Sequence, residues 1–244
     1  MDTIPESAQE NTTSKVSELN MTTVLVAAVL GFIVMAIILL LRRRSFGRRD
    51  FILTGLSESG KSAIFMQMMH KKFPDTFTSI TENVGEYRSG RMSGRLVDIP
   101  GHYRVRDKCF DQYKRTAKGL IFVVDSVTVQ KDVRDVADAL YSVLADPAIQ
   151  SCPFLVLCNK QDLSTAKGAQ VIKSILEKEM NIVRVTRGRK LQSVGEDNMS
   201  KPVFLGKEGK DFEFSHINQN VQFFECSAKD NQLNNLSDWI DRML

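Results

Sequence analysis

The 244 residues are 25% charged and 43% apolar, a balance that excludes bulk disorder and allows one ordinary domain with a buried core. The formal charge of +4 is unevenly placed: Asp2, Glu6, Glu10 and Glu18 outweigh Lys15 near the start, whereas Arg42, Arg43, Arg44, Arg48 and Arg49 fall in one short run. What remains is nearly neutral and dispersed along the chain, so direct nucleic-acid binding is not expected.

In chain order, residues 1–20 form an acidic tail. Val24 to Leu41, "VLVAAVLGFIVMAIILLL", carries no charge, and Met21 to Thr23 extend it. At about 1.5 Å per residue such a run approaches the thickness of a bilayer core, and it predicts one transmembrane helix over 21–41. A cleaved signal peptide needs a basic leading flank; here the leading flank is acidic and the trailing one is "RRRSFGRR". Arginines on the trailing side place the tail in the lumen and the rest in the cytosol. Asn11 and Asn20 then lie in lumenal glycosylation patterns. Residues 42–49 form a basic juxtamembrane linker able to touch the headgroups of the lipid bilayer. The fourth region, 50–244, is the cytosolic domain.

Beyond residue 50, short apolar runs alternate with amphipathic stretches. Phe51–Thr54, Arg95–Ile99, Leu120–Ser126, Phe154–Asn159 and Val221–Cys226 are predicted strands; Lys61–His70, Lys131–Ala145, Lys167–Met180 and Gln232–Leu244 are predicted helices. Near-continuous apolar strands alternating with helices indicate an α/β fold with a mainly parallel sheet, whose ligand crevice lies past the strands' carboxyl ends. Arg184–Lys210 is a long polar insertion expected to be a mobile loop. Cys109, Cys152, Cys158 and Cys226 show no metal-ligand spacing and are expected to be reduced and structural.

The chemistry-bearing motifs all follow predicted strands. Gly55, Leu56, Ser57, Glu58, Ser59, Gly60, Lys61 and Ser62 spell G-x-x-x-x-G-K-S between a strand and a helix, with Ala63 opening that helix. Gly60 lets backbone N–H groups turn toward phosphates, Lys61 offers a point charge, and Ser62 offers a hydroxyl to Mg²⁺. "DIPG" puts a carboxylate, Asp98, within reach of the metal's water shell, and Gly101 can present a backbone N–H to a terminal phosphate. In "NKQD", Asp162 can accept both of guanine's adjacent donors, whereas adenine's ring acceptor would meet it with repulsion. Lys160 can lie along the base and Asn159 can brace the loop. "CSAK" supplies Ser227, Ala228 and Lys229, with backbone donors for the guanine oxygen. Guanine rather than adenine follows, which argues against a membrane-tethered kinase or ATPase.

With these four motifs in order, the region resembles the small GTPases over essentially all of 50–244, closest to the ADP-ribosylation-factor and Sar branch, since His102 stands where Ras-like members carry Gln. The resemblance implies a P-loop NTPase with a Ras-like six-stranded sheet. The apolar run, "TSITENVGEY" and "GKEGKDFEFSHI" further resemble the family of signal recognition particle receptor beta subunits. That family resemblance implies GTP and Mg²⁺ as ligands, with Ser62, Asp98 and Thr78 (or Thr81) at the metal and His102 positioning water. It also implies the endoplasmic reticulum membrane as location and a switch surface that holds the receptor alpha subunit, linking indirectly to the signal recognition particle and the ribosome. No arginine finger is assigned, so slow hydrolysis is expected. The alternative is a Sar-like GTPase recruiting another cytosolic complex.

Overall fold

The computed structural model describes residues 24–35, 47–73, 79–193 and 203–244, which divide into units Met1–Gly47 and Arg48–Leu244. In the first unit, helix α1 covers residues 24–35 with exposed apolar side chains. The expected span 21–41 extends past it at both ends; 21–23, 36–41, the tail 1–20 and Arg42 to Arg44 lie outside the described residues. Among the described residues no helix is long and apolar enough to cross a membrane.

The second unit runs β1 (Asp50–Thr54), α2 (Lys61–His70), β2 (Asn83–Ser89), β3 (Met92–Asp98), α3 (Tyr103–Tyr113), β4 (Ala117–Asp125), α4 (Val133–Leu144), β5 (Phe154–Asn159), α5 (Ala169–Ser193), β6 (Val221–Glu225) and α6 (Asn234–Asp241). The six strands form one sheet in the order β2-β3-β1-β4-β5-β6. β2 and β3 are antiparallel and all other neighbours parallel. Strand alternation sorts the apolar residues to two faces. Phe51, Leu53, Ile121 and Leu155 meet Ile64 of α2 and Trp239 and Ile240 of α6. Ile52, Leu120, Phe122 and Val156 meet Leu140 of α4 and Ile172 and Leu176 of α5. Both faces are covered, which is why the central strands read as unbroken apolar runs. The four cysteines are free and buried.

Three elements differ from expectation. Strand β2, "NVGEYRS", has only exposed or half-buried residues and lies at the sheet edge, so it carries no apolar run to announce it. Helix α3, "YRVRDKCFDQY", buries only Cys109 and Phe110 and was equally silent. The expected polar loop from Arg184 is corrected at both of its ends. Helix α5 continues through it to Ser193, because Val183 is buried and Arg187 lies over the Tyr141 ring while pairing with Asp138 at 2.7 Å. Buried Arg184 donates to the carbonyls of Leu205, Lys207 and Lys210, at 3.4, 3.3 and 2.6 Å, and so fastens 205–210 to the helix. Residues 194–202 lie outside the described residues.

Candidate functional site

The loop between β1 and α2 is shaped by left-handed backbone at Glu58 (φ 63°) and Gly60 (φ 92°). Only glycine fits the second position: a Cβ there would sit 2.2 Å from Asn159 Nδ2. Gly101 is also required by close approach, since its Cβ would sit 2.5 Å from the Ser57 nitrogen, which brings the "DIPG" turn against the loop. Ser59 Oγ donates to the Leu56 carbonyl at 2.9 Å, and Lys61 Nζ donates to the same carbonyl at 2.6 Å. Lys61 is 5% exposed. Burial pushes its pKa down to about 8, with the Asp98 charge resisting and the Arg106 charge assisting. An ammonium held in this way gains most from an anion that replaces its lost hydration.

At the first turn of α2, Ser62 Oγ donates to Asp98 Oδ2 at 2.7 Å, and Asn83 Nδ2 donates to the same oxygen at 3.0 Å. Ser79 Oγ lies 3.0 Å from Ser62 Oγ. Since the Ser62 proton is engaged by Asp98, Ser79 is the donor in that pair. Asp98 is fully buried, and its Oδ1 has no hydrogen-bond partner among the described residues. Burial raises the Asp98 pKa, opposed by the Ser62 and Asn83 hydrogen bonds and by Lys61. A hydroxyl oxygen beside a carboxylate with an unpartnered oxygen fits a small hard cation. Among the described residues no cluster of three or more His, Cys, Asp or Glu side chains forms an all-protein cage.

The third part joins the ends of β4, β5 and β6. Asn159 is 2% exposed; its Nδ2 donates to the Ser59 carbonyl at 2.9 Å, and its Oδ1 accepts from Ala228 N at 3.1 Å and Cys226 Sγ at 3.5 Å. One amide therefore ties the phosphate loop, the "NKQD" loop and the "CSAK" loop together. Lys160, at φ 69°, sends Nζ to Asp125 Oδ2 at 2.6 Å, and Asp125 Oδ1 in turn accepts the Val127 N–H at 2.8 Å. Gln161 Nε2 donates to Ser126 Oγ at 2.9 Å and to the Lys167 carbonyl at 3.0 Å. Half-buried Asp162 accepts from Ser227 Oγ at 3.0 Å, which fixes its carboxylate at the crevice.

Of the residues expected from sequence, Lys61, Ser62 and Asp98 converge, and Asn159, Lys160, Asp162, Ser227 and Ala228 form a second group linked to them through Ser59. The Ala228 N–H, expected to meet the base, is directed at Asn159. Lys229 and Thr81 are exposed, and Thr78 lies outside the described residues. His102 is exposed and stacks on Tyr103, with ring centroids 4.7 Å apart. Sequence reasoning missed Ser79, Asn83 and Asp125. Ser79 stands between two threonines, and nothing in "TSIT" ranks one hydroxyl above another. Asp125 was signalled only by its place at the end of a strand. A groove of about 1080 Å³ adjoins the site, running from Leu56–Glu58 and His102 between α4 and α5. It includes neither Lys61 nor Asp162, so it flanks the crevice without being it.

A family model for the signal recognition particle receptor beta subunit matches residues 47–221. The beta subunit of Rattus norvegicus is 43% identical over 191 residues, covering 76% of this chain and 71% of the relative; that of Homo sapiens is 42% identical over 195 residues, covering 78% and 72%. Among solved structures, the mammalian signal recognition particle receptor is 39% identical with a TM-score of 0.72, covering 80% of this chain and all of that one. The receptor SRb-GTP/SRX complex from Chaetomium thermophilum, 19% identical with a TM-score of 0.63 over 80% of this chain and 100% of that one, shares the fold. The chain belongs to the family of signal recognition particle receptor beta subunits, with their Ras-like GTPase fold and six-stranded, mostly parallel sheet.

Proposed function

We propose that the chain binds GTP with Mg²⁺ in this crevice and acts as the membrane-anchored, GTP-binding subunit of the receptor. In this reading Asp162 accepts the guanine donors, Lys160 lines the base, and Lys61 with the N-terminus of α2 neutralises the phosphates. Ser62 and Asp98 would hold Mg²⁺, which supplies countercharge to the outer phosphates. The switch hydroxyl expected at Thr78 lies outside the described residues; Ser79, next to it in sequence, touches Ser62. The observation that carries the reading is the Asn159 brace, which joins the phosphate loop to the "CSAK" loop, whose Ser227 holds Asp162.

Residues 21–41 anchor the protein in the endoplasmic reticulum membrane, with 1–20 lumenal, 42–49 as linker and 50–244 cytosolic. The length and charge asymmetry of the apolar run support this topology. Exposed Ile80 and Val84 lie close in sequence to Ser79, and exposed Tyr103 follows the "DIPG" turn. Apolar side chains beside two nucleotide-sensing segments suit a partner surface that GTP orders. That partner is the receptor alpha subunit, through which the signal recognition particle and ribosome are reached; the assembly with SRX named for the Chaetomium thermophilum protein supports it. In this reading His102 orients water, and slow turnover keeps the GTP-ordered surface in being.

The test is capture of the alpha subunit by the full chain, solubilised in detergent and loaded with GTP, GDP or nothing. Capture with GTP alone is the expected result. Equal capture in all three states contradicts a GTP-ordered surface.

A further inference from the structure

The fold gathers basic residues that the sequence disperses. Arg49 N donates to the Thr116 carbonyl at 2.9 Å, Arg95 N to the Arg49 carbonyl at 2.9 Å, and Arg48 Nη1 to Ser151 Oγ at 3.0 Å. The start of the second unit, the turn before β4 and the loop before β5 therefore meet at one pole, at the strands' amino ends and opposite the nucleotide crevice. The β2–β3 turn, Gly90 and Arg91, belongs to the same pole, because Ser89 pairs with Met92 and Gly94 packs against Leu244.

The carboxylates here are already engaged. Asp50 is buried and held by Arg95 at 2.7 and 2.8 Å; Lys114 holds Asp111 at 2.6 Å and Asp146 at 2.8 Å. Glu86 is taken by Arg88 at 2.8 Å, and Asp241 accepts from the Tyr87 hydroxyl at 3.0 Å. Arg48, Arg49, Arg91, Arg115 and Arg242 are exposed and form no ion pair among the described residues. Beside Arg91, Met92 is 51% exposed.

We propose that this pole is a docking surface for an anionic lipid bilayer, with Arg49, Arg91 and Arg115 at headgroup level and Met92 entering the interface. Guanidiniums without carboxylate partners complement an anionic leaflet, and an exposed thioether next to Arg91 in the chain suits the boundary between headgroups and acyl chains. Chain length points the same way. Arg48 follows Leu41, the end of the apolar run, by seven residues, a reach of at most about 25 Å. This last argument rests on the membrane-anchor reading of 21–41; the charge pattern does not. RNA is the less favoured occupant because, among the described residues, no exposed aromatic side chain at the pole offers a stacking platform. Docking this pole on the bilayer turns the nucleotide crevice toward the cytosol, where a soluble partner reaches it.

The experiment uses the full chain carrying Met92→Cys, labelled with an environment-sensitive dye, in vesicles of phosphatidylcholine with or without phosphatidylserine. Burial keeps the native thiols unreactive, raising Cys152 to about 11 and Cys158 to about 12. The expected result is a blue shift and quenching by headgroup-depth spin labels in anionic vesicles only. Both are lost in high salt and in the Arg49→Glu, Arg91→Glu, Arg115→Glu triple variant. A dye at Ile80→Cys stays in water throughout. A dye at position 92 that is equally wet in both vesicles overturns the proposal, as does a shift produced by short RNA in neutral vesicles and not by phosphatidylserine. Alkaline carbonate extraction of the same vesicles separates the two readings. Retention of the protein without a dye shift sinks the docking pole alone. Release of the protein after a shift in anionic vesicles sinks the anchor and leaves the pole standing.

Discussion

The two ends of the nucleotide crevice are held by different kinds of contact. At the base end, Asn159, Lys160, Gln161 and Asp162 each have a fixed protein partner, and those partners are themselves bound to the frame. At the phosphate end, Lys61 donates to a loop carbonyl, Ser62 donates to the carboxylate it would share with a cation, and Asp98 keeps an unpartnered oxygen. The base end is preorganised; the phosphate end holds contacts that a ligand exchanges for stronger ones. In the proposed reading, selectivity belongs to the rigid side and switching to the side that still has something to gain.

The largest effect should come from removing the link between the two ends. Asn159→Ala leaves the Ser59 carbonyl and the Ala228 N–H unpaired in a buried setting, about 2–4 kcal/mol in all. Differential scanning calorimetry should show a lower melting temperature, and titration calorimetry weaker GTP binding, because the two ends of the crevice are no longer held in register. Little change in either would mean that the ends are held independently.

Next is the protonation of Lys61. Its pKa of about 8 is depressed by burial, while bound phosphates favour the charged form. Below about 8 the ammonium is already present. Above it, each binding event takes up a proton, and affinity should fall by about tenfold per pH unit until the pKa of the complex is reached. Calorimetry in buffers of different ionisation enthalpy reads that proton directly. Folding shows the opposite slope: a Lys depressed in the folded state costs stability below about 8 and regains it as pH rises toward the unfolded value of 10.5.

The smallest effect sharpens the metal side. Ser79→Ala removes one hydrogen bond to Ser62, about 1 kcal/mol, and should weaken Mg²⁺-dependent GTP retention a few-fold with base preference unchanged. A change in base preference would show that the two ends are not separable.

The sequence made some of this legible for a physical reason. Strands β1, β4 and β5 are buried on both faces, so Phe51–Leu53, Leu120–Val124 and Phe154–Cys158 are forced to be apolar and stand out. Gly60 was legible because left-handed backbone against Asn159 admits nothing larger. Strand β2 was not, since an edge strand carries little obligation to bury side chains. The extension of α5 was hidden because Arg184 and Arg187 act there through carbonyls, aromatic faces and Asp138, while their charge read as solvated loop. The basic pole was hidden by distance along the chain: Arg49, Arg91 and Arg115 reach the same end of the sheet only through the register of β1, β3 and β4 and the β2–β3 turn.

The most direct test of the central claim is titration of wild type and Asp162→Asn with GTP, xanthosine triphosphate and ATP. The account predicts that wild type takes GTP and rejects ATP, and that the variant loses about 1.5–3 kcal/mol toward GTP while gaining affinity for the xanthine nucleotide. Unchanged GTP affinity in the variant, or equal uptake of ATP and GTP by wild type, would contradict it.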